Sequence, residues 1–232
     1  MQDITISDLE IMNGAQNYRA WIYNHIKPFL GNRILEIGAG IGNITEFLGD
    51  KELVVGIDVN PDCVSYLKTK FISRNNFNFF QYDIGKPDVL KLVKYNFDTV
   101  ICINVLEHVE QDLDALNNIY KLLQKNGMAV IYVPAFNFLF GTVDKSLKHY
   151  RRYNKKHLAK LITQAELSNL NTFYVNFIGV FGWFLNNKIL RRKEESKKQI
   201  LFFDKNILPW VSKIEKGISL PFGLSLISIC KK

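Results

Sequence analysis

The sequence predicts an α/β domain, a doubly wound and mostly parallel sheet with helices on both faces. Two observations carry this. Short apolar, β-branched runs recur through the first 134 residues, of the kind that fill a strand buried on both faces. Between them lie helix signals at a spacing that suits βαβ units with right-handed crossovers. At 232 residues one large domain fits better than two.

In chain order, Ala15–Lys27 reads as an aromatic-rich helix that Pro28 ends or kinks. Arg33–Gly38 is the first strand, and its closing glycine opens a turn into a helix. Leu53–Asp58 is the second strand. Asn60-Pro61 reads as a cap with proline at the first helical position, starting a helix to about Lys70. Asn76–Tyr82 carries an aromatic alternation, while Asp98–Asn104 and Met128–Pro134 are buried-strand runs. Leu113, Leu116, Ile119, Leu122 and Leu123 form one helical stripe, closed by Asn126-Gly127. A polar and aromatic loop then leads to a helix near Lys155–Ala165, and residues 171–178 and 222–230 are candidate last strands. The divisions are a helical cap (1–30), a core (31–134), a loop and helix (135–170), and last strands (171–232) interrupted by a basic, aromatic insertion (179–220).

Glu36-Ile37-Gly38-Ala39-Gly40-Ile41-Gly42 lies where the first strand turns. Glycines there let the backbone pass close to a ligand. A dinucleotide site would want GxGxxG with a pyrophosphate on the helix N-terminus. Here the spacing is GxGxG, with Asn43 where the third glycine would stand, which speaks against a nicotinamide dehydrogenase. Asp58 ends the second strand, where a carboxylate can accept both ribose hydroxyls of an adenosine. Asp83 ends the third, where it can accept an adenine amino group or cap a helix.

RILEIGAGIGNIT, GIDVN, QYDIG and FDTVICINVLEHVE resemble the successive motifs of class I S-adenosylmethionine-dependent methyltransferases, over roughly residues 18–170. The resemblance implies a seven-stranded Rossmann-like sheet with its last strand antiparallel, and S-adenosylmethionine as methyl donor. It implies that Gly38, Ala39, Gly40 and Gly42 line the donor's methionine part, Asp58 its ribose and Val59 its adenine face. Asp83 and Ile84 would take the adenine edge, and Asn104 and Val105 would lie under the sulfonium and amino group. Glu36 and Tyr18 would approach the amino-acid end, although a structural hydrogen bond to the turn explains Glu36 equally well.

The fourth strand ends Asn104-Val105-Leu106-Glu107-His108, without the (N/D)PP(Y/F) turn that grips a planar nitrogen. No Pro-Cys follows a strand, which disfavours a thiolate nucleophile. No trio of metal carboxylates is legible, so no metal is expected. Glu107 and His108 read as structural or donor-side. His149, beside Tyr150, Arg151 and Arg152 on the loop after the fifth strand, is the candidate base. Tyr150 and Arg152 are its candidate companions, Arg152 as a grip on an anionic acceptor. Val133-Pro134-Ala135, Leu139-Phe140-Gly141, Asp144, His149–Tyr153 and Phe222–Leu226 further resemble a subgroup near envelope-sugar and quinone-type methyltransferases. That implies a small or lipid-linked acceptor.

The three cysteines, Cys63, Cys102 and Cys230, are widely spaced, which argues for a reducing compartment and against structural zinc. The acidic start and the lack of an 18-residue apolar run predict a cytoplasmic protein. Net charge is +8 but unevenly placed: residues 1–134 hold 12 Lys/Arg and 16 Asp/Glu, residues 135–232 hold 18 and 6. The basic portion predicts an anionic partner, namely substrate phosphate, an acidic membrane surface contacted from the inner face, or nucleic acid, the last without a recognised RNA module to accompany it. A solvated basic face is the alternative. Thr172–Leu185, followed by Lys188, Arg191, Arg192, Lys193, Lys197 and Lys198, suits a lipid surface, a pocket wall, or a strand and lid packed on the core. The expected activity is metal-independent O-methylation. N-methylation, RNA modification and a non-catalytic donor-binding or interaction module stay open.

Overall fold

The computed structural model describes residues 6–192, 196–215 and 220–232, with backbone only for 6–8 and 11. A seven-stranded sheet runs in the order β3-β2-β1-β4-β5-β7-β6. Its strands are β1 (Arg33–Ile37), β2 (Leu53–Asp58), β3 (Phe77–Gln81), β4 (Phe97–Ile103), β5 (Leu123–Pro134), β6 (Ser168–Val175) and β7 (Ser225–Lys231). Strands β1 to β5 pair in parallel, and β7 enters antiparallel between β5 and β6. The expected doubly wound sheet and its antiparallel last strand are both present.

Helices α1 (Ile6–Asn13) and α2 (Gln16–Ile26) precede the sheet. Helix α3 (Pro61–Lys70) begins as the sequence predicts: the Asn60 side chain accepts from the Asp62 amide and proline follows it, which meets one otherwise unpaired helix-start donor. Helix α4 (Asp112–Leu122) and α6 (Lys155–Gln164) pack with the core on one face, where Leu35, Val100, Ile131, Leu116, Ile119 and Leu158 are buried together. On the other face Ile34, Val54, Ile101 and Val130 pack with Trp21 and Ile26 of α2 and with Leu208 and Val211. Adjacent strand residues thus point into different cores, which is why these runs are apolar without alternation.

Four boundaries differ from the sequence reading. The glycine turn leads into a single tight turn, Thr45–Leu48, rather than a full helix. Ile41, Ile44 and Thr45 are β-branched, and Gly49 follows at once. Leu123 is the first residue of β5, opposite Phe97, and not the end of α4. Its backbone is already extended at ψ 140°, while Asn126, at φ 65°, marks a bend inside the strand. β6 ends at Val175 because Asn176 takes φ 61° and accepts from the Gly179 amide through its side chain. β7 starts at Ser225, and a Cβ on Gly223 would stand 2.3 Å from the Val175 carbonyl.

Between β6 and β7 lies the insertion. It contains α7 (Gly179–Phe184) running into a π-helical turn (Leu185–Ile189), then α8 (Lys197–Phe202), a second π-helical turn (Phe203–Ile207) and α9 (Leu208–Glu215). Lys193 of the basic cluster lies outside the described residues. Asp204 ties the insertion to α2: it is buried, and its carboxylate accepts from the Tyr18 amide at 2.7 Å and from Asn17 at 3.2 Å. Among the described residues no helix is long and apolar enough to cross a membrane.

Candidate functional site

A cavity of about 1030 Å³ opens at the carboxyl ends of β1, β2 and β4, where ligands bind in open parallel sheets. Its floor is the turn after β1. Gly38 and Gly40 have φ of 71° and 55°, which L side chains rarely adopt. A Cβ on Gly38 would meet Val105 at 2.4 Å, and one on Gly40 would meet Leu9 at 3.2 Å. The amides of Gly38 and Ala39 donate to the Ile57 carbonyl, so the turn is fixed against β2. Asp58 accepts from the Gly40 and Asn60 amides at 2.8 and 2.9 Å, which holds its carboxylate at the cavity wall.

Of the donor-side residues named from sequence, Tyr18, Glu36, Gly38, Ala39, Gly40, Asp58, Val59, Asp83, Ile84, Asn104 and Val105 all line this cavity. Gly42 is outside the lining. Its φ is 84° and a Cβ there would meet Phe71 at 2.7 Å, so it serves the packing of α3. Glu36 is buried and accepts from the Thr45 hydroxyl at 2.6 Å. Burial pushes its carboxyl up to about 7, against the Thr45 hydrogen bond and with help from Asp58. Asp83 accepts from the Gly85 amide and so also shapes its own turn. The Tyr18 and Tyr132 hydroxyls meet at 3.0 Å, joining α2 to the carboxyl end of β5.

The opposite wall comes from the loop after β5. Asp144, in the short helix α5 (Thr142–Ser146), is fully buried. It accepts from His149 Nδ1 at 3.0 Å, Arg152 Nε at 2.7 Å, Asn187 Nδ2 at 3.0 Å and the Gly141 amide at 2.9 Å. Burial alone would raise its pKa. The His149 hydrogen bond and the Arg152 charge outweigh that and hold it at about 2, so it is a carboxylate at neutral pH. A carboxylate on Nδ1 fixes the neutral ring as the Nδ1–H tautomer and leaves Nε2 as the acceptor. This is the arrangement that positions a general base.

The loop's three candidates separate. His149 and Arg152 line the cavity; Tyr150 does not. Tyr150 is 54% exposed, anchored by its amide on the Glu107 carbonyl, with the Arg151 guanidinium over its ring. Arg151 pairs with Asp112 at 2.7 Å. Arg152, read from sequence as an anion grip, is buried. Besides Asp144 it donates to the Ala135 carbonyl and lies 4.5 Å from the Trp183 ring centroid.

Sequence reading takes Glu107 and His108 as structural or donor-side and does not join them to His149. Glu107, His108 and His149 each bring a ligand-type atom within 4.8 Å of the others, the kind of cluster that could hold a metal ion. The His108 and His149 rings meet edge to face at 4.6 Å. Glu107 is 1% exposed and its Oε2 has no hydrogen-bond partner in the structure. Burial pushes its carboxyl up to about 7, opposed by His149, its own amide and Arg152, and reinforced by Asp144. Burial, with His149 adding to it, holds His108 down at about 4 against a backbone hydrogen bond with Leu147. The sequence signal was only LEH, which reads as part of a family motif; the partner 41 residues on becomes visible when the loop folds back.

A family model described as a methyltransferase domain matches residues 35–129, the stretch that holds the glycine turn, Asp58, Asp83 and the Asn104–His108 corner. That stretch is similar to class I S-adenosylmethionine-dependent methyltransferases. Among curated methyltransferases, it is 33% identical over 128 residues to a ubiquinone biosynthesis O-methyltransferase of Pelagibacter ubique, covering 53% of this chain and 47% of that one. It is 29% identical over 186 residues to the mitochondrial enzyme of that name in Schizosaccharomyces pombe, covering 77% and 65%. The matches thus span about half to two thirds of these relatives' length. Among solved methyltransferase structures, one from Archaeoglobus fulgidus aligns over 94% of both chains with a TM-score of 0.58 at 18% identity. One from Mesorhizobium loti aligns over 93% of this chain and all of that one, at 0.63 and 10%. Both share the fold.

Proposed function

We propose that the protein transfers a methyl group from S-adenosylmethionine to a hydroxyl oxygen of a small or lipid-linked acceptor. The observation that supports this best is the Asp144–His149 pair, on the wall of a cavity whose floor is the glycine turn and Asp58. The donor supplies an activated methyl group as a sulfonium. The cradle fits such a ligand: side-chain-free backbone at Gly38 and Gly40, and a fixed carboxylate at Asp58. In this reading Gly38, Ala39, Gly40, Asn104 and Val105 hold the methionine part, with Glu36 and Tyr18 at its amino-acid end. Asp58 takes the ribose, and Val59, Asp83 and Ile84 the adenine.

The chain's remaining task is to align the acceptor and remove its proton. His149 Nε2 would receive the hydroxyl proton as the oxygen–carbon bond forms and the methyl's bond to sulfur breaks, leaving S-adenosylhomocysteine, and Asp144 would stabilise the resulting imidazolium. Val143, Leu147, Trp183 and Leu185 of the lining exclude water and suit an apolar acceptor body. The reaction is read as metal-independent and cytoplasmic, and the names of the ubiquinone O-methyltransferase relatives favour oxygen as the methylated atom.

Labelled donor with cell extract identifies the acceptor. On that acceptor His149→Ala is expected to lower turnover by roughly 10²–10⁴ with donor affinity by calorimetry unchanged, and chelation is expected to leave the wild type active. Normal turnover in His149→Ala overturns the base. Loss of activity on chelation moves the chemistry to the Glu107–His108–His149 cluster.

A further inference from the structure

The insertion carries a surface that methyl transfer does not explain. On a water-facing helix the outward side chains are polar. Here the two helical pieces point aromatics outward. Phe181, Phe184 and Leu185 lie at i, i+3 and i+4 of α7 and its π-helical extension. Phe202, Trp210 and Ile214 follow along the second piece, and Phe181 and Trp210 are 64% and 68% exposed. The Phe181 and Phe222 rings meet edge to face, which extends the patch towards β7.

Among the described residues of the insertion, the exposed charges are of one sign. Residues 176–220 contain nine Lys/Arg and four Asp/Glu. Two of the four acids, Asp204 and Glu215, are buried; the other two, Glu194 and Glu195, fall outside the described residues. Lys197, Lys198, Lys205 and Lys213 are exposed on the same helices as Phe202 and Trp210, and Lys213 stands 5.3 Å over the Trp210 ring. Outward aromatics interleaved with lysines and arginines fit the headgroup region of an anionic bilayer, rings at the acyl boundary and ammonium groups on phosphate.

A third observation links this surface to the cavity. Phe181, Leu185 and Phe202 are exposed and also line the cavity. The helices that carry the patch therefore also form part of the cavity wall.

We infer that the insertion docks the protein on an anionic membrane surface, with the cavity mouth facing the lipid so that a lipid-linked acceptor enters from the bilayer. Only the last clause rests on the methyl-transfer reading; the docking stands without it.

The test uses the full chain with no donor and no acceptor, so its outcome is separate from whether the protein methylates. Co-sedimentation is measured with vesicles of phosphatidylcholine and with vesicles that also contain about 30% phosphatidylglycerol, at low salt and at about 0.5 M salt. Binding is expected at least tenfold stronger on the anionic vesicles and largely lost at high salt. Lys197→Glu with Lys205→Glu is expected to weaken it by more than about 20-fold, since each lysine near such a surface is worth about fivefold. Phe181→Ser with Trp210→Ser, both at exposed positions, is expected to weaken it while leaving the circular dichroism spectrum and melting temperature unchanged. Equal binding to neutral vesicles, no binding, or full binding by either double variant overturns the inference. So does sedimentation equilibrium showing a dimer that Phe181→Ser with Trp210→Ser dissolves, because the patch would then belong to a second copy of the chain.

Discussion

Replacing Glu107 by glutamine should make the protein's stability less dependent on pH. Glu107 is buried, its Oε2 lacks a hydrogen-bond partner, and burial lifts its carboxyl from 4.5 to about 7. A raised acid binds its proton in the folded state where the unfolded chain has released it. Stability is therefore fullest below the unfolded value and falls as pH rises towards 7. With these two values, the cost of holding the group folded is about 0.8 kcal/mol at pH 5 and about 3.3 kcal/mol at pH 8. Glutamine keeps the shape and removes the titration. A buried unpaired amide donor costs about 1–3 kcal/mol, but that term is the same at both pH values. The quantity to measure is the stability of Glu107→Gln relative to wild type at pH 8, minus the same difference at pH 5. Urea melts of both proteins, with equal m-values as the check on two-state behaviour, should give about +2.5 kcal/mol. Glu36, which lies outside this cluster, titrates in both proteins and cancels. A value under about 0.5 kcal/mol would mean that Glu107 ionises without penalty in the folded protein, and the account of this corner would fail.

Asp58→Ala is expected to weaken S-adenosylmethionine binding by about 1–3 kcal/mol, read by calorimetry; unchanged affinity would remove Asp58 from the donor site. Arg152→Ala is expected to act on the fold, costing about 3–5 kcal/mol because it leaves the buried Asp144 carboxylate without its strongest ion pair. Thermal melts check this, and an unchanged melting temperature with a raised acceptor KM would return Arg152 to the role of anion grip.

How far the sequence could be read depends on whether the relevant forces are local. Strands β1, β2 and β4 were legible to within a residue or two because both faces are buried, so Ile34-Leu35 and Val100-Ile101 show as unbroken apolar runs. The cap at Asn60-Pro61 is a contact between neighbours and reads directly. The limits of β6 and β7 depend on Asn176 taking a left-handed backbone and on Gly223 passing against Val175, and neither shows in an apolar pattern. In the site, the glycine turn and Asp58 announce themselves because backbone clearance and a strand-end carboxylate are each sequence-local. The His149 loop was less transparent. Tyr150, Arg151 and Arg152 look equivalent in a row, yet the fold sends Arg152 inward to Asp144 and leaves Tyr150 in solvent. Asp144 stood in the quoted motif, but its role needs a chain reversal that brings residues 141, 144, 149, 152 and 187 to one point. The cluster of Glu107, His108 and His149 joins two loops at the ends of neighbouring strands, a juxtaposition made by topology alone.

The place of β7 bears on how the chain can be made. β7 is the last strand in sequence yet an interior strand of the sheet, paired with β5 on one side and β6 on the other. β6 touches no other strand. As the polypeptide leaves the ribosome, β5 must therefore wait with an open edge, and residues 168–175 with no place in the sheet, while the whole insertion is synthesised. Unpaired edges flanked by apolar helices are the surfaces through which nascent chains associate wrongly. The insertion therefore lengthens the interval in which this protein would most need a chaperone, and strand closure by Ser225–Lys231 ends it.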